Sequence, residues 1–337
     1  MSQAPLDVGI VGWHSHNEMF DEISVELRKA GHRITRYAHR EAFTATPDPL
    51  AAIDVLLCVA VFPLTRAILA AAPRLRAIIS AVTGVDGIDI PAATEQTVVI
   101  GNAQTEENVI GMAEATVLLV LAALYDLAAA QERVRQGLWR PPQLPARQLR
   151  GKTIGFFGLG KIGREAARLF APWGATMQYT ARRDADLTGL PPMQRVDLDT
   201  LMQTSDVVVV LATLNPETRR IISAEKLALM KKTAILINVA RGAIVDEAAL
   251  ADALKRKAIT GAAVDCFSVE PLPATSPLRG LPNAILTPHM IGHTVEAHRS
   301  LEVATRENLD LILSGRPPRY VVNPSVLPAW MKKWGAA

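Results

Sequence analysis

The chain has 337 residues, of which 49% are hydrophobic and 20% charged, with a formal net charge of +3, and this predicts about two globular domains with ample core. The basic residues form no stripe interleaved with aromatic residues, so nucleic acid is not expected as a partner. Cys58 and Cys266 lie in apolar runs and are expected to be buried thiols rather than a disulfide or a metal site. No secretory signal is recognised, and the most apolar stretch, between Glu114 and Asp126, is short for a bilayer, so a soluble cytoplasmic protein with no membrane partner is predicted.

The N-terminal third alternates short β-rich runs with helical patterns. Strands are predicted at 7–13, 53–61 and 75–82, and an amphipathic helix over 18–32. Such alternation favours a parallel sheet with helices on both faces. Residues 106–137 then predict one long, apolar helix, expected to pack between domains or against a partner subunit.

A proline-rich loop at 138–149 follows, and then the alternation restarts. A helix is predicted over 294–316, and the residues from 321 onwards are expected to form an irregular tail. The fold class is therefore α/β, with two parallel-sheet units in tandem. The predicted strands of the second unit are 152–158, 176–181, 205–212, 233–240, 259–267 and 284–290.

A glycine-rich turn follows the first strand of the second unit. Gly158, Gly160 and Gly163 have the G-x-G-x-x-G spacing, with Lys161 and Ile162 opening a helical pattern. The first glycine permits a tight turn, the second a close approach of backbone to pyrophosphate, and the third close helix packing. A glycine-rich turn without a ligand is the alternative, but the strand before and the helix after it favour dinucleotide binding at all five positions.

The position that selects between NAD and NADP carries arginines. An acid about 20 residues beyond the glycines would accept hydrogen bonds from the ribose of NAD. From Gly163 to Arg182 is 182 − 163 = 19 residues, and Thr180, Arg182 and Arg183 occupy this region. Guanidinium groups pair with a 2′-phosphate, so NADP(H) is the predicted cofactor and NAD(H) the alternative. A solvated charged loop with a backbone-bound ribose is the competing interpretation, and either Asp184 or Asp186 could fold back toward the ribose.

Three polar residues each follow a predicted strand of the second unit. Arg241 comes after one strand, Glu270 lies in a loop after the next, and His289 follows a third. Each alone is an ordinary solvated loop residue. Because parallel strands place their carboxyl ends at one edge of a sheet, the three together predict a site there.

At this point the chain resembles the D-isomer-specific 2-hydroxyacid dehydrogenases. The resemblance implies two Rossmann-like, doubly wound domains, with a cofactor domain at 103–292 inserted into a substrate domain made of 1–102 and 293–337. It also implies a homodimer. The motifs that carry it, which cover most of residues 78–296 in order, are "ISAVTGVDGIDI", "GMAEATVLLVLAAL", "GFFGLGKIGREAARLF", "INVARGAIVDEAALADAL", "GAAVDCFSVEPLP" and "SPLRGLPNAILTPH".

The same resemblance implies a role for each residue of the trio. Arg241 would bind the carboxylate of a 2-keto acid and polarise its keto oxygen. His289 would donate a proton to the alkoxide during reduction, and Glu270 would favour its imidazolium form. The backbone N–H groups of Thr83 and Gly84 would hold the substrate carboxylate from the other domain.

Four further positions are weaker candidates. Met112 and Asp265 are expected near the cofactor, although packing is an equally good interpretation of Met112. Phe62 and Trp139 are candidates to shape the pocket for the substrate side chain. No metal site is expected.

The leading hypothesis is an NADP-preferring reductase of small 2-keto acids, with glyoxylate and hydroxypyruvate as first candidates. An NAD-dependent dehydrogenase of a bulkier hydroxy acid is the alternative within the same class, and phosphite oxidation is a minor one. A cofactor-sensing protein that resembles a corepressor is the alternative outside catalysis. Glu270 argues against formate oxidation, for which related enzymes carry glutamine at this position.

Overall fold

A computed structural model describes residues 5–335 and divides into two compact units. Unit 1 contains the chain up to Asn108 and again from Val295, and unit 2 contains Val109–Thr294. The first half of the elements are β1 (Asp7–Val11), α1 (Asn17–Lys29), β2 (Arg33–Tyr37), α2 (Arg40–Ala45), β3 (Val55–Cys58), α3 (Arg66–Ala70), β4 (Ala77–Ser80), α4 (Ile90–Glu95), β5 (Val99–Gly101), α5 (Glu106–Leu124), α6 (Leu127–Arg135), β6 (Thr153–Phe157) and α7 (Lys161–Phe170). The second half are β7 (Thr176–Thr180), β8 (Met193–Arg195), α8 (Leu198–Thr204), β9 (Val207–Val210), α9 (Ala224–Ala228), β10 (Ile235–Asn238), α10 (Glu247–Lys255), β11 (Gly261–Val264), β12 (Ala284–Leu286), α11 (Val295–Leu313) and α12 (Leu327–Trp334).

Each unit is built on one parallel sheet. The five strands of unit 1 have the order β2-β1-β3-β4-β5, and the seven of unit 2 the order β12-β11-β10-β9-β6-β7-β8. In unit 2 the chain winds from β6 to one edge and then crosses to β9, so the strand order reverses between β6 and β9. Open α/β sheets bind ligands at the carboxyl ends of the strands at such a reversal. The predicted α/β class is confirmed.

The unbroken apolar strands are explained by burial on both faces. Along β9, Val207 and Val209 pack with α5 and α7, whereas Val208 and Val210 pack with α8 and α10. The four valines are fully buried. A strand with helices on both sides therefore has no position for a polar residue.

Leu327–Trp334 form a helix, so among the described residues the prediction of an irregular tail was wrong; residues 336–337 lie outside the described part of the chain. In α12 the Trp330 side chain is fully buried in the core of unit 1, and its indole Nε1 donates to the carbonyl of Arg76 at 2.8 Å. Before α12, the side chain of Asn323 accepts from the Ile100 N–H at 2.9 Å and donates to the Val98 carbonyl at 3.0 Å. The segment is ordered by the sheet that it covers and not by its own helical propensity.

The predicted long helix is broken into α5 and α6. Asp126 has a φ of 53°, the left-handed conformation, which ends the first helix and redirects the second. By length and composition alone, α5 is the one helix within residues 5–335 that could cross a membrane, and 44% of the apolar window is buried inside the protein. Leu119, Val120 and Leu124 of α5 belong to the core of unit 2, which explains its apolar character as packing.

Candidate active site

The glycine-rich turn lies between β6 and α7, at the reversal of strand order. Gly158 has a φ of 98°, and a Cβ there would lie 2.6 Å from the backbone nitrogen of Ala212 in the segment after β9. A Cβ on Gly163 would lie 2.9 Å from the Gly158 carbonyl. Both positions require glycine, because the helix starts directly against the turn.

The surroundings of Gly160 fit a dinucleotide. A Cβ on Gly160 would meet nothing within 4 Å, so open space lies beside the backbone where a pyrophosphate is expected. Gly160 is the N-cap of α7, and no side chain caps the helix there. Free N–H groups and the helix dipole favour an anion at this position. Lys161 is exposed and Ile162 half-buried in the first turn.

The predicted 2′-phosphate residues follow β7. Thr180 is its last residue, and Arg182 and Arg183 are exposed in the loop that follows. The nearest carboxylate oxygen of Glu217 lies 3.9 Å from the Arg182 guanidinium. The Asp184 carboxylate pairs with the guanidinium of Arg195, a residue that sequence reasoning missed.

The trio predicted from sequence lies at the carboxyl edge of the sheet of unit 2. β10, β11 and β12 are adjacent and parallel, and Arg241, Glu270 and His289 come from the segments that follow them. Asn238, at the end of β10, donates from its amide to the Arg241 carbonyl at 3.1 Å and fixes the backbone of this turn. The Arg241 guanidinium is half-buried and donates to the Ala240 carbonyl at 2.7 Å.

A glycine brings two of these segments together. A Cβ on Gly242 would lie 2.0 Å from the carbonyl carbon of Phe267 and 2.3 Å from the nitrogen of Ser268. Only a residue without a side chain allows the turn after β10 to contact the loop that carries Glu270. The contact of Gly242 with the backbone of Phe267 and Ser268 therefore sets the separation between Arg241 and the loop that carries Glu270.

Glu270 and His289 form a hydrogen-bonded pair. The Nδ1 atom of His289 lies 3.0 and 2.9 Å from the two carboxylate oxygens of Glu270. Glu270 also accepts from the Phe267 N–H at 2.9 Å, which orients its carboxylate. His289 has a φ of 54°, in the left-handed region that non-glycine residues adopt uncommonly. Glu270 therefore contacts His289 through Nδ1 and not through Nε2.

Electrostatics favour the charged form of both members of the pair. Hydrogen bonds to Cys266 and Glu270 raise the pKa of His289 to about 10, against the lowering effect of burial. Burial would raise the pKa of Glu270, but hydrogen bonds from His289 and from Phe267 outweigh it and the pKa lies below its ordinary value. The positive charge of Arg241 acts in the same direction on Glu270. The site therefore holds an imidazolium beside a carboxylate at neutral pH.

Cys266 is a neighbour of the pair that sequence reasoning treated only as a core thiol. Its side chain is buried, donates to the Ala240 carbonyl at 3.3 Å, and has its pKa raised by burial. The ligating atoms of Cys266, Glu270 and His289 lie within 4.8 Å of one another. The only sequence signal was the position of Cys266 directly after Asp265.

Asp265 is buried and organises the segment that carries His289. Its Oδ1 atom accepts from the Thr287 hydroxyl at 2.7 Å and from the N–H groups of Met290 and Ile291 at 3.1 and 3.3 Å. The contacts around Asp265 are therefore to the protein's own loop, and contact with the cofactor stays a prediction.

The predicted carboxylate-binding loop belongs to unit 1 and follows β4. The Thr83 hydroxyl donates to the Ala103 carbonyl at 3.2 Å, and the Ser80 hydroxyl donates to the Gly84 carbonyl at 2.9 Å. Within residues 5–335, the N–H groups of Thr83 and Gly84 donate to no protein acceptor. Two adjacent N–H donors in one loop are suited to a carboxylate.

Three weaker candidates have different outcomes. Phe62 is 2% exposed in the core of unit 1, where its ring packs edge-on against Phe43, so the structure gives it a packing role and its place in the pocket stays a prediction. A buried aromatic ring at the end of an apolar run is core by the same logic as its neighbours. Met112 packs against the backbone of Gly292, where a Cβ would lie 2.1 Å from the Met112 sulfur. Trp139 is 80% exposed, and its place in the pocket stays a prediction.

Comparison with known proteins gives a consistent assignment. Residues 117–291 match the family described as D-isomer specific 2-hydroxyacid dehydrogenase, NAD binding domain. Glyoxylate reductase of Thermofilum pendens is 39% identical over 283 residues, which are 81% of this chain and 82% of that protein. D-3-phosphoglycerate dehydrogenase of Methanocaldococcus jannaschii is 36% identical over 279 residues, and there the chain spans only 52% of the relative's length. The crystal structure of an NADPH-dependent glyoxylate/hydroxypyruvate reductase from Sinorhizobium meliloti, in complex with NADP and malonate, has a TM-score of 0.83 at 26% identity and covers 95% of this chain and 97% of its own.

Proposed function

Because the chain belongs to the D-isomer-specific 2-hydroxyacid dehydrogenase family, we propose that it is an NADP(H)-dependent reductase of a small 2-keto acid, with glyoxylate and hydroxypyruvate as its substrates. The reaction class follows from the family: the chain is an oxidoreductase that uses a nicotinamide cofactor to interconvert 2-keto and 2-hydroxy acids. The observation that carries the proposed chemistry is the Glu270–His289 pair, beside Arg241, at the edge of the sheet that carries the glycine-rich turn.

Arg241 binds the substrate in this proposal. The reduced nicotinamide, when it is bound, supplies a hydride to carbon 2 of this 2-keto acid. A guanidinium offers two parallel N–H donors, which match a carboxylate, and its permanent charge polarises the neighbouring keto oxygen. The N–H groups of Thr83 and Gly84 are the proposed donors to the same carboxylate from unit 1.

His289 supplies the proton. The imidazolium donates from Nε2 to the alkoxide oxygen as negative charge develops there, and in the oxidation direction the neutral ring accepts that proton. Glu270 keeps Nδ1 protonated and holds the ring in one orientation, so it acts as a positioning residue. The raised pKa of His289 keeps the proton in place across the physiological range.

Preference for NADP(H) is proposed from the loop after β7. Arg182 and Arg183 are exposed there and offer charge-assisted hydrogen bonds to a 2′-phosphate, with the Thr180 hydroxyl beside them. The Sinorhizobium enzyme, which is described as NADPH-dependent, supports this preference. Gly158, Gly160 and Gly163 with the N-terminus of α7 are proposed to hold the pyrophosphate.

A second candidate is an NAD-dependent dehydrogenase of a larger hydroxy acid. The phosphoglycerate dehydrogenase from Methanocaldococcus favours it, but this chain covers only half of that relative, whereas it covers 82% of the Thermofilum glyoxylate reductase. A non-catalytic role as a cofactor sensor is disfavoured by the intact Glu270–His289 pair, which such a role would not need.

We also propose that the protein works as a homodimer in the cytoplasm. Unit 2 exposes an apolar groove between α5, α6 and the turn after α7, lined mainly by Leu118, Leu121, Tyr125, Leu127 and Trp173. Apolar surface of this kind is typical of an interface. Sedimentation velocity at micromolar concentration measures the proposed state directly, and a monomer at all concentrations contradicts it.

The proposed reaction is tested by the products of the purified protein. Incubated with NADPH and glyoxylate, hydroxypyruvate, pyruvate or a phenyl-substituted keto acid, it is expected to form 2-hydroxy acids fastest from glyoxylate and hydroxypyruvate. His289→Gln should abolish product formation and Arg241→Gln should lower it by at least about 10²-fold, while both proteins still bind NADPH. Equal product formation by the variants and the wild type contradicts the proposed roles.

A further inference from the structure

We propose that Arg195 is the positioning residue that makes the loop after β7 selective for NADP(H), because it holds Asp184, the acid that follows Arg182 and Arg183, away from the ribose. This inference rests on the proposed function, in which those two arginines bind the 2′-phosphate. None of the sequence motifs quoted above includes Arg195.

The Arg195 guanidinium bridges both ends of the selective segment. Arg195 is the last residue of β8, the strand that pairs with β7. One of its terminal nitrogens pairs with the Asp184 carboxylate, and the other donates to the Ala181 carbonyl at 2.9 Å. The two contacts lie on either side of Arg182 and Arg183, so one side chain limits the conformations of the short segment between them.

The pairing of Asp184 has an electrostatic consequence. A carboxylate in this region is the group that selects for the ribose of NAD and repels a 2′-phosphate. Asp184 lies directly after the two arginines and is 85% exposed, so without a partner its charge would be free to approach the cofactor. Arg195 neutralises that charge, so Asp184 no longer offsets the positive charge of Arg182 and Arg183. An exposed ion pair of this kind contributes little to stability, so its removal is expected to leave the fold unchanged.

The second acid of the loop is also engaged. The Asp186 carboxylate accepts from the Thr188 N–H at 2.9 Å, and this hydrogen bonding from Thr188 lowers the pKa of Asp186. The carbonyl of Asp186 accepts from the guanidinium of Arg164, which lies in the first turn of α7. Both carboxylates that could select NAD are therefore held in contacts of the protein itself.

The experiment compares the affinities of NADPH and NADH, measured by nicotinamide fluorescence with no keto acid present. In Arg195→Met the freed Asp184 should weaken NADPH binding about tenfold and leave NADH binding within about twofold of the wild type. The double variant Arg195→Met with Asp184→Asn removes the freed charge and should recover most of the NADPH affinity. Arg195→Lys keeps the positive charge that faces Asp184 but cannot bind Asp184 and the Ala181 carbonyl together as the guanidinium does. Its NADPH affinity is therefore expected to lie between that of the wild type and that of Arg195→Met.

Arg168→Met is the matched control. Arg168 donates to the Gly189 carbonyl at 3.3 Å and pairs with Glu165, so it contacts the far end of the same loop and no acid beside the arginine pair. Its NADPH to NADH ratio should equal that of the wild type. Circular dichroism and thermal unfolding of every variant separate a binding effect from a loss of fold.

The outcomes distinguish this inference from the proposed cofactor preference. Equal affinity of the wild-type protein for both cofactors overturns both. A wild type that prefers NADPH, together with an unchanged ratio in Arg195→Met, overturns the role of Arg195 alone. Failure of the Asp184→Asn change to recover affinity in the double variant also overturns it, because the effect would then not pass through Asp184. If Arg195→Met does not fold, Asp184→Asn alone decides, since a severalfold loss of NADPH affinity in it contradicts the inference.

Discussion

Replacing Glu270 by glutamine tests the electrostatic coupling within the proposed catalytic pair. Glutamine preserves the size of the side chain and its hydrogen bond to the Phe267 N–H but removes the negative charge that faces Nδ1 of His289. The imidazolium then loses part of its stabilisation, and the pKa of His289 falls. Reduction needs the imidazolium, which is lost as the pH rises through this pKa, so the alkaline limit of the reduction rate should move to lower pH.

The size of the shift follows from the raised pKa. A ring with a pKa of about 10 is ~99% protonated at about pH 8, whereas one at its ordinary value of about 6.5 is ~3% protonated there. The reduction rate at about pH 8 should therefore fall by up to ~30-fold, and at about pH 6 by no more than ~1.3-fold. The contact between His289 and Cys266 remains in the variant, so the pKa of His289 should not fall all the way to its ordinary value. The alkaline limit of the reduction rate is therefore expected to move down by at least about one pH unit. In the oxidation direction the sign is reversed, because the neutral ring is the base.

The assay is the dependence of kcat/KM for keto acid reduction on pH between about pH 5 and pH 10. Glu247→Gln is the control, because the Glu247 carboxylate accepts from the Ser268 N–H in the same loop but does not contact His289. Its profile should overlay that of the wild type. A Glu270→Gln profile that keeps the wild-type alkaline limit refutes the coupling, even if its maximal rate is reduced.

Three further predictions concern binding and stability. Arg241→Gln should lower kcat/KM by about 10²–10³-fold and Arg241→Lys by less, measured with a saturating cofactor; equal losses would contradict bidentate binding. Gly242→Ala places a Cβ 2.0 Å from a backbone carbon and should cost about 1–3 kcal/mol in the free energy of unfolding, whereas Gly280→Ala, with nothing within 4 Å, should cost no more than about 0.5 kcal/mol. Trp330→Ala removes a fully buried side chain and should destabilise by about 3–5 kcal/mol in urea titration, whereas Trp139→Ala, at an 80% exposed position, should leave the titration unchanged.

The sequence was informative where one element alone carries the signal. Buried parallel strands need apolar residues on both faces, so a run such as Val207–Val210 can be recognised from sequence as a strand with helices on both sides. The glycine-rich turn was readable for the same reason, because its spacing and its flanking strand and helix lie within one stretch of chain. Residues at the ends of parallel strands converge by topology, which placed Arg241, Glu270 and His289 at one edge of the sheet.

The sequence was less informative where the structure or role of a residue depends on contacts with residues far away in the chain. The helix at Leu327–Trp334 depends on the site on the sheet that receives Trp330, and nothing in its local pattern reveals that site. Phe62 follows an apolar run as a ligand-contacting residue would, and only the packing of Phe43 against it shows that it is core. Arg195 was missed because its partner Asp184 is 11 residues earlier in the chain, across a strand pairing.

The central claim is tested most directly by the initial rates at which the wild-type protein oxidises NADPH and NADH, measured side by side with glyoxylate and with hydroxypyruvate. The account predicts turnover of at least one of the two acids, with kcat/KM for NADPH at least about tenfold above that for NADH, because the exposed arginine pair binds the 2′-phosphate. Equal or better use of NADH contradicts the assigned cofactor preference. No turnover of either acid with either cofactor contradicts the proposed substrate class.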